Sequence, residues 1–323
     1  MIHKFKKPAY VYLKIKIMFR YSLLAIILFC KILNCFSQVP TTDIYLLDMK
    51  VKHGKYVFAN PQKISDWKGY NNQPYFTPDG KTIYYVSYRN KQSDIYKYDI
   101  ESKTTTQFTN TPEDEYSPKL TPDEKYISVV RVMKDSAQQM WEFPVDGSAP
   151  VHLFTGFDSI GYYCWSDSGI LIANVPEPMK LIISWYSTLT LGKWPGYLDM
   201  KLKNVGRAMA VTSGRRPEFI FVLKGKDKKD SIFEVCRIDG RKFPYKIVPV
   251  VNTLPKCEDF ALGPKNTLLM GKNGRLYKYR IGRDKEWKEI ADFFGTEYKN
   301  FYRITISADG KKIALVSYQG KKP

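Results

Sequence analysis

Phe76-Thr77-Pro78-Asp79-Gly80-Lys81-Thr82-Ile83-Tyr84-Tyr85-Val86 holds a short strand, a tight turn and a second strand. The turn is written in its residue types. Pro presets φ at the first central position, and Asp and Gly accept the tight or left-handed positions that follow. The pattern recurs as Leu120-Thr121-Pro122-Asp123-Glu124-Lys125-Tyr126-Ile127-Ser128-Val129-Val130 and as Ile306-Ser307-Ala308-Asp309-Gly310-Lys311-Lys312-Ile313-Ala314-Leu315-Val316. One strand-turn-strand unit returning at a fixed period predicts a repeat architecture.

Asp79 and Asp123 are 44 residues apart, and a further 44 reaches Asp167 in Cys164-Trp165-Ser166-Asp167-Ser168-Gly169. A looser unit runs through Met209–Gly214, Phe219–Val222 and Ser231–Val235, and a fifth through Phe260–Asn266, Thr267–Met270 and Arg275–Tyr279. Lys265 to Asp309 is again 44, which makes six turns. After the first turn come Asp94-Ile95-Tyr96-Lys97-Tyr98-Asp99 and Thr105–Phe108, so a full unit has four strands. The sixth unit has only the strands either side of its turn, whereas Asp43-Ile44-Tyr45-Leu46-Leu47-Asp48 and the segment Tyr56–Ile64 stand before the first unit as two orphans of the missing kind. A ring accounts for both. The expected fold is all-β, a six-bladed β-propeller closed by N-terminal strands that complete the last blade, a closure that removes the open sheet edge. The apolar runs after each turn agree, because a blade's middle strands are covered on both faces.

These turns resemble the WD40-like repeats of TolB-type six-bladed propellers. Asn72-Gln73-Pro74-Tyr75-Phe76, Asp94-Ile95-Tyr96, Thr109–Glu113, Glu115-Tyr116-Ser117-Pro118 and Glu258-Asp259-Phe260 are similar to the exported TolB-like proteins of Bacteroidetes. The resemblance covers about residues 43–317 and implies a role in envelope assembly or scaffolding.

The first 37 residues carry seven basic side chains and no acidic one. From Met18, a short basic stretch leads into the apolar Leu23–Cys30, and Cys35-Phe36-Ser37 offers a small residue for cleavage before Gln38. Residues 1–37 are therefore expected to be a signal peptide, with Met18 an alternative start, and 38–323 the propeller. The expected location is periplasmic or extracellular, with no stable membrane span after processing. The apolar run is short for a span, and Asn34 before Cys35 makes a poor lipoprotein box. Beyond the leader, residues 38–200 have a net charge of −3 and residues 201–290 of +12. The basic half raises a polysaccharide or other polyanion as ligand; nucleic acid is not the expected partner. Cys164, Cys236 and Cys257 are too few and too widely spaced for a disulfide framework or zinc motif.

No Gly-x-Ser-x-Gly elbow and no metal-ligand spacing stands in the sequence, so neither cofactor nor metal is expected. If there is a site, it belongs where the loops leading into the innermost strands crowd the central channel. Counting back from each turn gives Tyr70 and Asn71, Asp114 and Glu115, Asp158 and Ser159, and Asn300; the irregular blades add Arg207, Glu258 and Asp259. Carboxylates with one Arg and amides could hold a peptide terminus, a sugar or a cation. The expected function is non-catalytic binding of an envelope protein or polysaccharide by a monomer. The alternatives are a carbohydrate or polyanion binder using the basic arc of blades four and five (residues 201–290), to be tested by neutralising Lys224, Lys226, Lys228 and Lys229, and a glycan-acting enzyme with channel carboxylates as acid and base.

Overall fold

A computed structural model describes residues 39–153, 159–175, 180–185, 197–212, 217–225, 233–239 and 246–320. The expected signal peptide lies outside the described residues. Two strands, β1 (Thr42–Lys52) and β2 (Lys55–Lys63), precede the first repeat. Blade one is β3 (Asn71–Phe76), β4 (Thr82–Arg89), β5 (Gln92–Asp99) and β6 (Thr104–Gln107). Blade two is β7 (Asp114–Leu120), β8 (Tyr126–Val132), β9 (Gln138–Pro144) and β10 (Val151–His152). Blade three is β11 (Tyr163–Trp165), β12 (Ile170–Val175), β13 (Lys180–Trp185) and β14 (Tyr197–Lys203). Blade four is β15 (Val205–Val211), β16 (Glu218–Lys224), β17 (Phe233–Asp239) and β18 (Ile247–Asn252). Blade five is β19 (Ala261–Gly263), β20 (Thr267–Lys272), β21 (Arg275–Arg280) and β22 (Lys288–Asp292). The remaining strands are β23 (Phe301–Ile306) and β24 (Lys312–Tyr318).

Each of the first five blades runs outward from the axis in chain order; the sixth runs β23, β24, β1, β2. Closure is therefore made as the sequence predicts. β1 pairs antiparallel with β24 from Thr42 opposite Tyr318 to Asp48 opposite Lys312. Lys312 Nζ reaches Asp48 Oδ1 at 2.8 Å at one end of the pairing. At the other, the Thr42 hydroxyl donates to the Asn71 carbonyl at 2.7 Å and ties the closing strand to blade one.

Period-two alternation sends successive side chains of a strand to opposite faces. In a ring both faces are interior. Tyr45, Leu47 and Met49 of β1 pack with Leu269 and Leu276 of blade five, while Ile44 and Leu46 pack with Ile83 and Tyr85 of blade one. Blade three repeats the arrangement: Leu171 and Ile182 face Met140 of blade two, and Ile172 and Ile183 face Phe219 and Phe221 of blade four. Each buried aliphatic contributes about 1.5–3 kcal/mol, so the seams between blades hold the disc together. Cys164 and Cys236 are buried, and Cys257 is half-buried.

The repeated turn works through two side chains. Thr77 Oγ1 donates to Asp79 Oδ1 at 2.6 Å and accepts from the Thr82 amide at 3.1 Å, while Asp79 Oδ1 accepts from the Lys81 amide at 3.0 Å. Thr121 with Asp123, and Ser307 with Asp309, repeat it bond for bond. Blades three and four keep the hydroxyl without the aspartate bonds: Ser166 Oγ accepts from the Ile170 amide at 2.9 Å, and Thr212 Oγ1 from the Glu218 amide at 2.8 Å. The hydroxyl recurs in five of the six turns, with Gly263 in its place in blade five, and so outlasts the Pro, Asp and Gly that mark the turn in sequence.

Candidate functional site

The six innermost segments enclose a cavity of about 610 Å³ on the axis, within the range of ligand pockets. All six blades contribute to its wall, through segments such as Gln73–Tyr75, Ser117–Thr121, Tyr162–Asp167, Arg207–Val211, Asp259–Leu262 and Arg303–Ile306. It extends to Pro78, Pro122, Glu124 and Asp167 at the turn rim. Pro78, Glu124 and Asp167 are exposed, so the cavity opens on that side, while at the far end the Arg207 side chain keeps 36% of its surface exposed.

At the deep end stands a charged cluster. Asp259, 8% exposed, takes a two-pronged contact from Arg207: Nε to Oδ1 at 3.0 Å and Nη2 to Oδ2 at 2.5 Å. Arg303 of β23 lies against the same carboxylate, Nε to Oδ1 at 3.5 Å, and donates from Nη1 to Asn72 Oδ1 at 3.0 Å. The Asn72 amide in turn donates to the Tyr302 hydroxyl at 2.6 Å. Burial works against the Asp259 charge, yet the two guanidiniums hold its carboxyl below the usual carboxylate range. Glu258 Oε1 accepts the Arg207 amide at 2.6 Å, and its Oε2 lies 3.1 Å from Lys224 Nζ. Gly206 permits this approach, because a Cβ there would sit 2.7 Å from Glu258 Oε1. Tyr70, Tyr162 and Tyr302 gather round Arg303 at this end, and burial pushes the Tyr70 phenol up to about 12.

Nearer the mouth, Lys119 of β7 places Nζ 5.3 Å from the centre of the Tyr75 ring. Burial lowers its ammonium pKa from the ordinary lysine value, and the Arg303 charge pushes the same way. The wall opposite is apolar, from Met209, Ala210, Leu262 and Ile306.

The structure divides the residues singled out from the sequence. Arg207 and Asp259 line the cavity, Glu258 supports them from behind, and Tyr70 stands beside Arg303. Asn71 is fully buried and structural: its amide donates to the Thr42 and Trp67 carbonyls and its oxygen accepts from Ser87. Asp114 accepts the Ser93 amide at 2.7 Å, between blades one and two. Glu115 is fully buried in the same seam, bonded to Thr111 and 3.4 Å from Arg131 Nε. Asp158 lies outside the described residues. Ser159 forms a bridge to Gln138, and Asn300 donates to the Gly320 carbonyl at 2.9 Å. Counting back to the lead-in loops passed over Lys119 and Arg303, which sit within innermost strands. The available signal was a basic residue four positions before Asp123 and another six before Asp309, the second in an otherwise uncharged strand.

Part of the basic arc is locally neutralised. Lys224 pairs with Glu258, Arg237 with Glu218, Arg275 with Glu289 and Asp292, and Lys288 with Asp284. Lys226, Lys228 and Lys229 lie outside the described residues.

No family model and no curated protein matches the chain. Solved structures do. A putative TolB from Agrobacterium tumefaciens superposes with a TM-score of 0.61 at 11% identity, over 87% of this chain and 99% of that one. TolB from Acinetobacter baumannii gives 0.54 at 15% identity, over 88% of this chain and 66% of that one. A puromycin-hydrolyzing peptidase from Mycobacterium tuberculosis gives 0.52 at 12% identity, over 82% of this chain and 48% of that one. At these identities the likeness speaks for the fold, and the chain has the six-bladed, TolB-like β-propeller fold.

Proposed function

We propose that this protein is an exported, non-catalytic propeller that binds a protein or other cell-envelope component through its axial cavity. The observation that carries the reading is the convergence of all six blades on one cavity holding Lys119, Arg207, Arg303 and Asp259. Such a set binds and orients; it does not resemble a catalytic pair. Its carboxylate is kept ionised by two guanidiniums, and the one thiol in the wall, Cys164, is pushed up to about 12 by burial. A carboxyl with the pKa of a general acid does exist: burial raises Glu115 to about 7. Glu115 is enclosed in a blade seam away from the cavity wall, where no substrate reaches it. Among the described residues no helix is long and apolar enough to cross a membrane.

The test is capture from envelope extract by the tagged protein, compared with Thr305→Trp. Thr305 lines the cavity, and an indole there fills space without altering charge. Loss of the captured component with unchanged thermal unfolding is the expected result. Capture that survives the plug moves binding to another surface.

A further inference from the structure

The charges in the cavity are sorted by depth. Among the described lining residues the charged ones are Lys119, Arg207, Arg303 and Asp259 within, and Glu124 and Asp167 at the mouth. Inside, three cations face one carboxylate, and that carboxylate is engaged by both arginines. Lys119 contacts an aromatic face and makes no ion pair among the described residues. The cavity behind its rim thus holds an excess of positive charge, with Lys119 nearer the mouth and the two arginines further in, where burial strengthens each interaction. The mouth has the opposite sign, and the wall between joins aliphatic side chains such as Met209, Leu262 and Ile306 to the aromatic Tyr75 and Tyr162.

We propose that the cavity receives the C-terminal end of a polypeptide, its carboxylate seated beside Lys119 and the Arg207–Arg303 pair and its last apolar side chains against Met209, Ala210, Leu262 and Ile306. The inference rests on the axial cavity being the binding site. It names the occupant by charge order. A single terminal carboxylate passes the two acidic residues of the rim once and then meets the buried excess of cations. A polyanion, whether an acidic glycan or a nucleic acid, would keep a charge at every repeat and hold several of them against Glu124 and Asp167. A neutral sugar would leave the ammonium of Lys119 without a counter-charge. A volume of about 610 Å³ takes a few residues, not a folded domain.

The experiment is calorimetric titration of the full chain with N-acetylated tripeptides ending in apolar residues, supplied as a pool with free carboxylates and as the same pool amidated. N-acetyl-leucine is titrated in parallel. The free-acid pool is expected to bind at least tenfold more tightly than the amidated pool. That preference is expected to vanish in Lys119→Gln and to survive in Glu115→Gln, whose side chain lies outside the cavity. Equal affinity for the two pools, or binding of neither, overturns the proposal. N-acetyl-leucine binding as tightly as the tripeptides overturns the polypeptide as source and leaves a free carboxylic acid in its place. Envelope capture that Thr305→Trp abolishes, together with indifference to the carboxylate, would retain the site and reject this occupant. Capture indifferent to the plug would reject the site itself.

Discussion

Two acidic pairs stand at the same kind of junction, where a loop enters an innermost strand: Asp114-Glu115 before blade two and Glu258-Asp259 before blade five. In sequence they are interchangeable. In the fold they are opposites. Asp114-Glu115 turns into the seam between blades one and two, where Glu115 touches the Asp94 carboxyl and lies near Arg131. Asp94 Oδ1 and Glu115 Oε2 are both buried without a donor, an arrangement that one shared proton satisfies. Burial raises both carboxyls from their ordinary values. Glu258-Asp259 reaches toward the axis and is gripped by cations from blades four and six. The comparison teaches that the partners around a carboxylate, rather than the residue or its place in the repeat, decide whether it is locked in a seam or faces the axial cavity.

The strongest way to break this contrast is to delete Asp259. Asp259→Ala leaves two guanidiniums without their carboxylate, and removing one partner of a buried pair costs roughly 3–5 kcal/mol. Urea unfolding is expected to show that loss; a variant as stable as the wild type would mean that solvent already screens the cluster.

The pH dependence of stability sharpens the contrast, because the two pairs have opposite slopes. Glu115 titrates near 7 in the fold against about 4.5 unfolded. The folded state therefore holds more protons between those values, and the contribution is full below about pH 4.5 and lost as pH rises through 7. By linkage that loss is at most roughly 3 kcal/mol. Asp259 runs the other way: its folded pKa is lowered, so its contribution stands above the ordinary carboxylate value and disappears in acid. Glu115→Gln is expected to flatten the fall between pH 5 and 8 in thermal unfolding, while an unchanged slope would assign it to other groups.

A smaller effect tests how Glu258 is held. Gly206→Ala drives a methyl against Oε1 and displaces it from the Arg207 amide, with an expected cost of about 1–2 kcal/mol. Smallest is the repeated turn. Ser307→Ala removes the hydroxyl that serves both Asp309 and the Lys312 amide, and is expected to cost about 1 kcal/mol. Thr121→Ala in blade two should match it if the turns are equivalent.

The blade order, the turn chemistry and the closing strands were legible in the sequence because each is local or periodic: Thr-Pro-Asp marks a turn, and the orphan Asp43–Asp48 matches Asp94–Asp99 in type. β13 and β14 were not foreseen: Lys180 follows Asp167 by the same 13 positions that separate Gln92 from Asp79, but Lys180–Trp185 carries no Asp-Ile-Tyr signature to mark it. The site was half legible. Arg207, Glu258 and Asp259 were found by position, but Lys119 and Arg303 were missed because the count stopped at the loops. β7 also carries a register shift between Tyr116 and Lys119. Such a bulge re-aims side chains without leaving a mark in residue type. Asn71 and Glu115 fell in the right register and took seam duties, set by Thr42 and Arg131 from other parts of the chain.

The most direct measurement is photo-crosslinking in the producing cell, with p-benzoylphenylalanine in place of Glu124 at the mouth or of Lys68 in a loop on the opposite rim. An adduct from position 124, absent at position 68 and suppressed by Thr305→Trp, is the expected result. An adduct from position 68 alone would contradict ligand capture through the turn-side mouth.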